Sequence, residues 1–229
     1  MLDVFRARFP SVSPERFDAA FDAPAIRAQL LVKAALDRAV ATAVLTALGP
    51  ALLGVGVAIR LDSEGPALFW QERVGRDGRV FRICKFRTMR PPRPDDASED
   101  DRVSKLGRFL RLSSIDEIPQ LVNVVRGEMS LVGPRPFLPK TYAHFDERLK
   151  RTFRMKPGIT GWAQVGEGRN AQSWDEKFER NLYYVEHFSL ILDLEILLKT
   201  IGVVLGQQGV GSSPGSTVGV SYSATASTP

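Results

Sequence analysis

The chain has 229 residues, one cysteine and a formal net charge of +5, enough length for one domain with a buried core plus appendages. The lone Cys84 excludes an internal disulfide and a thiolate metal cluster, and its neighbours Phe81, Ile83 and Phe86 place it in core packing. The charge favours anionic partners without choosing among lipid headgroups, nucleotide diphosphates and nucleic acid.

Residues 1–32 contain Arg6 and Arg8 but break at Phe9-Pro10 with no apolar run behind them, which is not the pattern of a secretory signal. Ser13-Pro14-Glu15 predicts the start of a helix that Pro24 ends, and a second helical run follows from about Ala25. This helical extension is expected to cover the domain that follows or to lie on the membrane. Residues 33–62 read as a membrane helix, because about 21 uncharged residues between Ala39 and Ile59, at ~1.5 Å each, match a bilayer core. Gly49-Pro50 falls in its middle and predicts a kink, since proline removes a backbone hydrogen bond and collides with the preceding turn. Two half-helices entering one leaflet and returning are expected, with a kinked span as the alternative. Lys33 and Arg38 before the run and Arg60 after it give both ends the cations preferred on the cytoplasmic face.

Residues 63–206 are expected to form one domain. A polar turn at 62–66 leads into two short strands, 67–74 and 80–86, joined near Asp77-Gly78. The second strand delivers Lys85 and Arg87, whose competing role is a solvated basic face near anionic lipid. Arg73, Arg76, Arg79 and Arg82 read as solvated or lipid-facing cations. Residues 91–99 read as an exposed loop, and 102–112 have helical apolar spacing through Val103, Leu106 and Leu110. Gly127 is expected to close the next helix, and Gly133-Pro134-Arg135-Pro136 to be a rigid segment that aims Arg135. Glycines in residues 157–162 would permit close backbone approach to a ligand, and Trp162 would either stack on a ring or pack a turn. Ser173 is expected to cap one helix and Ser189 to introduce a more apolar one, interrupted by Asp193, Glu195 and Lys199 and therefore docked on the domain or the lipid surface. His144 and His187 lack metal-ligand spacing. Glycine, serine and threonine dominate 207–229, an expected disordered tail.

Between two of these arginines, Arg111 and Arg135, lies the adjacent acid pair Asp116-Glu117. An aspartate, with an ordinary pKa of roughly 4, is ionised at neutral pH and can attack an electrophile without a separate base. Arg111 and Arg135 suit a phosphate, whose oxygens accept the guanidinium fork. Glu117 could hold a Mg2+ that neutralises a phosphate leaving group. The competing reading makes Ser114 and Glu117 a capping box, although Pro119 lies too deep for a helix capped at Ser114.

Four segments, Lys85-Phe-Arg-Thr-Met89, Asp116-Glu-Ile-Pro-Gln-Leu121, Gly127-Glu-Met-Ser-Leu-Val-Gly-Pro-Arg-Pro136 and Pro157-Gly-Ile-Thr-Gly-Trp-Ala-Gln-Val165, together resemble the bacterial sugar transferases, the monotopic phosphoglycosyl transferases. The similarity runs from about Lys33 to about Leu205. It implies that Asp116 attacks the diphosphate of a UDP-sugar, forms a covalent phosphosugar enzyme and releases UMP, after which polyprenyl phosphate takes the sugar phosphate. It implies further that Asp116 and Glu117 hold Mg2+, that Lys85, Arg87, Arg111, Arg135 and Arg169 bind substrate, and that Gly49-Pro50 bends the anchor. Three departures stand out: Gly49 replaces a serine, Lys156 an arginine, and the segment Val165-Gly-Glu-Gly-Arg169 is one residue longer than the family pattern.

The expected fold is α/β or α+β, a small and partly irregular sheet surrounded by helices, with an N-terminal re-entrant membrane helix. The expected partners are a UDP-sugar, polyprenyl phosphate and membrane lipid at the cytoplasmic face of the bacterial inner membrane, with room for a homodimer. Other readings are a membrane-attached interaction protein without catalysis, a nucleic-acid binder, for which no recognisable module is present, and a glycosidase, whose carboxylates would have to face each other across a sugar.

Overall fold

The helical run from about Ala25 and the apolar segment behind it are one element. In the computed structural model, which describes residues 12–94, 96–165 and 174–205, helix α1 (Pro14–Phe21) is followed directly by α2 (Pro24–Asp62). Both begin with the expected proline at the first turn, where its missing N–H costs nothing. The 39 residues of α2, at ~1.5 Å each, follow about 58 Å of helix axis, long and apolar enough to cross a membrane. The backbone remains helical across Gly49-Pro50, where Pro50 leaves the Thr46 carbonyl without its helical donor. The boundary expected at residue 33 therefore falls inside a helix.

Strands β1 (Leu68–Val74) and β2 (Val80–Phe86) form the expected hairpin, antiparallel from Leu68 opposite Phe86 to Val74 opposite Val80. Its connection holds Asp77 and Gly78 at positive φ, which Asp tolerates and Gly adopts freely. Helix α3 (Lys105–Leu112) is capped by the Ser104 hydroxyl, which accepts from Gly107 N at 2.9 Å. After a 3-10 segment, Ile115–Gln120, comes the short α4 (Leu121–Val125), closed by Gly127 at φ 79 as expected. Strand β3 (Ser130–Val132), α5 (Pro139–Tyr142), α6 (Glu147–Lys150), β4 (Gly158–Thr160), α7 (Trp162–Val165), α8 (Trp174–Glu186) and α9 (Leu190–Leu205) complete the order. Strands β3 and β4 pair in parallel, making a second two-stranded ribbon.

Gly133 and Gly158 meet back to back across this ribbon. A Cβ on Gly158 would strike the Gly133 backbone nitrogen. The glycines of 157–162 thus serve strand-to-strand contact, and Gly158 also lines the cleft where a close approach to ligand was expected.

Four apolar clusters hold the elements together. Ala41 of α2 packs with Ile83, Leu121, Val124 and Met129, and Ile59 of the same helix packs with Phe86 and Leu110. Phe137, Phe145, Phe153 and Phe178 form an aromatic cluster with ring centroids as close as 5.0 Å. Phe17 and Phe21 of α1 are buried among Met155, Tyr184, Val185 and Phe188, while Arg154 binds Asp18 and Asp22 at 3.1 and 3.0 Å. Of the two positions expected for the N-terminal extension, α1 takes the one on the catalytic domain.

A buried polar network fastens α2 to the last helix. Lys33 Nζ lies 2.7 Å from Asp193 and 3.5 Å from Asp37. Tyr184 donates its hydroxyl to Asp193 at 2.6 Å, and Ser130 donates to Asp37. The charges that interrupt α9 are thus partly internal. Its other side leaves Ile191, Leu194, Leu198 and Ile201 exposed at helical spacing.

Candidate active site

Alternation along the first hairpin decides what faces the site. Phe81, Ile83 and Lys85 share one face of β2, and the register sets Arg73 opposite Phe81 and Phe69 opposite Lys85. Arg73 and Lys85 therefore emerge on the same side of the ribbon. Asn123 locks α4 to this strand: its carbonyl accepts from Cys84 N at 3.1 Å and its amide donates to Arg82 O at 2.8 Å. Cys84 is buried, as expected, and burial pushes its thiol pKa up.

The acid pair is presented by the 3-10 segment. Ser114 adopts the left-handed conformation, φ 57, and makes no side-chain cap bond, so the capping-box reading fails at its first requirement. The α-helix proper starts only at Leu121, beyond Pro119, which removes the conflict that proline posed. Lys85 donates to Glu117 Oε1 at 2.6 Å. Asp116 is raised to about 6, chiefly by burial and then by the Glu117 charge, with Lys85 and Arg111 pulling it back.

An open cleft of about 330 Å³ is lined by Arg73, Ile83, Lys85, Glu117, Gln120, Arg135, Pro136, Gly158, Ile159 and Gln164. Arg135 reaches it from the proline-flanked segment, whose backbone is fixed by Arg135 N donating to Asn181 Oδ1 at 2.9 Å. Lys85, Glu117 and Arg135 therefore come together as expected. Arg111 stands at the margin, donating to Thr88 Oγ1 at 2.9 Å and near enough to act on the Asp116 charge.

Arg87 has another task. It is absent from the cleft wall and donates to the carbonyls of Ser63 at 2.7 Å, Ile59 and Glu64, capping the C-terminus of α2. Arg169, Ser173 and the tail at 207–229 lie outside the described residues. Gly49 and Pro50 lie within α2. Trp162 packs against Tyr183 with centroids 5.8 Å apart and carries Lys199 4.5 Å above its ring, so packing is its role.

Sequence reasoning missed Arg73, Gln120 and Gln164. For Arg73 the signal was available in the parity of the hairpin: once Asp77-Gly78 sets the register, 73 and 85 must share a face. Gln120 and Gln164 carried no comparable mark.

Among the described residues no cluster of three or more His, Cys, Asp or Glu side chains could hold a metal. Two adjacent carboxylates nevertheless fit Mg2+, which binds through one or two carboxylates and completes its octahedron with water and phosphate oxygens. The burial and like charge that resist ionisation of Asp116 are what a neighbouring divalent cation would offset.

A sequence profile described as "Bacterial sugar transferase" matches residues 28–207. The chain is 41% identical over 184 residues to the uncharacterized sugar transferase EpsL of Bacillus subtilis, covering 79% of this chain and 91% of that protein. It is 44% identical over 188 residues to a UDP-glucose:undecaprenyl-phosphate glucose-1-phosphate transferase of Caulobacter vibrioides, covering 76% and 70%. Against the Escherichia coli protein of the same description it is 36% identical over 193 residues, covering 79% of this chain but only 42% of that protein. With the profile spanning α2 to the last residues of α9, the chain belongs to the bacterial sugar transferase family.

Proposed function

We propose that the chain transfers a sugar-1-phosphate from a UDP-sugar to polyprenyl phosphate at the cytoplasmic face of the bacterial inner membrane, starting a lipid-linked surface glycan. The observation that carries this reading is a partly buried carboxylate, Asp116, beside a cleft where Arg73, Lys85 and Arg135 outnumber Glu117. In the first step an Asp116 oxygen attacks the phosphorus that bears the sugar. The bond from that phosphorus to the bridging oxygen breaks, and UMP leaves with the electron pair. In the second step an oxygen of polyprenyl phosphate attacks the same phosphorus, releasing Asp116 and forming the polyprenyl-diphosphate sugar. Lys85 holds Glu117 in place, and Arg135 supplies a guanidinium to phosphate oxygens. Mg2+ held by Asp116 and Glu117 would neutralise phosphate charge.

Contacts along α2 support a re-entrant anchor over a span. Lys33, Asp37, Ala41, Val44, Leu45, Leu52, Val55 and Ile59 all pack on the catalytic domain, so the halves of α2 on both sides of Pro50 are tied to the same body.

The test is UMP release by the purified, lipid-embedded chain with Mg2+ and polyprenyl phosphate. UDP-glucose and UDP-N-acetylgalactosamine come first, since relatives bear those sugars in their descriptions. UMP with one donor, lost in Asp116→Asn, is the expected result. No UMP from folded protein across a broad donor panel would overturn the reading in favour of an interaction protein.

A further inference from the structure

The mechanism above gives Arg73 no task. Its surroundings assign it one. Its guanidinium is partly buried on β1, Nη2 donates to the neutral Gln71 at 2.6 Å, and Nε is buried without any hydrogen-bond partner. Among the described residues no carboxylate lies within ion-pair distance of Arg73 or Arg135, and Glu117 is already held by Lys85. Burial and then the facing Arg135 push Arg73 down to about 10 against the pull of the Glu117 charge, and burial and the same Arg135 lower Lys177 on α8 against that of Glu176. Arg73 cannot swing outward without slipping the hairpin by a residue, because its place opposite Phe81 fixes its face.

Buried charges in folded proteins are paired, and a guanidinium kept partly buried against a like charge calls for an anion from outside. Among the described residues three cations and one carboxylate line the cleft, an excess of positive charge that suits a nucleotide-sugar diphosphate. The Leu68 end of β1 follows directly from α2, where Ala67 packs on the cluster around Ile59, and Lys85 stands opposite Phe69 near that end. Arg73 lies four residues further along, about 13 Å at ~3.3 Å per residue, opposite Phe81, which packs on the cluster that holds Ala41 of α2. Lys85, paired with Glu117, marks the level of the acid pair, and Arg73 with Arg135 is left for the phosphate beyond it.

We propose that Arg73 grips the phosphate that leaves as UMP, forming with Arg135 a two-guanidinium clamp on the donor diphosphate. The inference rests on the UDP-sugar reading above. Its test is calorimetric binding of UMP, UDP, pyrophosphate and farnesyl phosphate to the full chain in nanodiscs, for wild type, Arg73→Gln and Arg73→Lys. Arg73→Gln should lose UMP and UDP affinity tenfold or more, with Arg73→Lys intermediate and farnesyl phosphate changed less than twofold. Equal UMP and UDP affinity in Arg73→Gln would overturn the clamp, as would a loss concentrated on farnesyl phosphate, which would make the anion the acceptor's. Should Arg73→Gln unfold, wild type still answers: UMP must slow phenylglyoxal modification of Arg73, followed by peptide mass spectrometry, and an unchanged rate overturns the proposal. If wild type releases no UMP from any UDP-sugar yet Arg73→Gln loses UMP binding, the transfer reading falls and the phosphate site stands.

Discussion

Asp116 is held where its charge is least comfortable, and two outcomes follow. Its pKa of about 6 lies above its ordinary 3.8, so the folded state favours the protonated form. The sign for stability is that the fold gains from this group at low pH and loses as pH rises from about 4 through 6. Asp116→Asn should therefore raise stability at pH 7.5 by about 1–2 kcal/mol, after allowing for partial exposure, while abolishing UMP release. Thermal unfolding in lipid alongside the turnover assay checks both. In the wild type without Mg2+, single-turnover UMP release should rise about tenfold per pH unit below 6 and level off above it. Asp116, Glu117, Lys85 and Arg135 were legible because each sits in a motif whose local backbone delivers it. Arg87 was misread because its acceptors, Ile59, Ser63 and Glu64, are brought to it only by the folded path of α2. Arg73 was misread because an arginine every third residue from 73 to 82 looks like a solvated series until the strand register is known.

At the level of elements, local signals worked and long-range ones did not. The hairpin and the turn at Gly127 depend on neighbours in sequence, and both were read; the cap at Ser104 is equally local but was not, the helical spacing having been read from 102. The parallel pairing of β3 with β4 joins segments on either side of α5 and α6, and no local pattern announces it. Gly158→Ala tests that ribbon: with a Cβ against the Gly133 nitrogen, the strands must separate, and stability should fall by about 3 kcal/mol by denaturant unfolding. The network at Lys33 is a second such junction. Lys33→Met would leave Asp37 and Asp193 without their cation in a buried site, a loss of about 3–5 kcal/mol that hydrogen exchange should locate in α2 and α9. Neither aspartate showed itself as internal in the sequence, where Asp193 merely interrupts an apolar run.

On the scale of the whole molecule, one long helix and one terminal helix present apolar side chains to the outside. Leu31, Leu36, Leu53, Val57 and Leu61 are exposed along α2, and Ile191, Leu194, Leu198 and Ile201 along α9. If α2 enters and leaves the same leaflet, cysteines replacing Ala28 and Asp62 should both react with an impermeant thiol reagent from one side of sealed vesicles. The native Cys84 is buried and should contribute little. Labelling of the two positions from opposite sides would establish a span and exclude the re-entrant anchor.

The junction of Lys33 with Asp193 also sets an order of assembly. Lys33 and Asp37 emerge from the ribosome with the anchor, and their third partner follows only after nearly the whole catalytic domain has been made. At about 5–20 residues per second that interval is roughly 10–30 s. During it Lys33 and Asp37 have only each other on the anchor and lack the contact that fastens them to the domain, so the anchor takes its final seat in the membrane only when α9 arrives. A nascent chain stopped short of α9 would therefore be open to quality-control proteases at its amino-terminal end, far from the truncation itself.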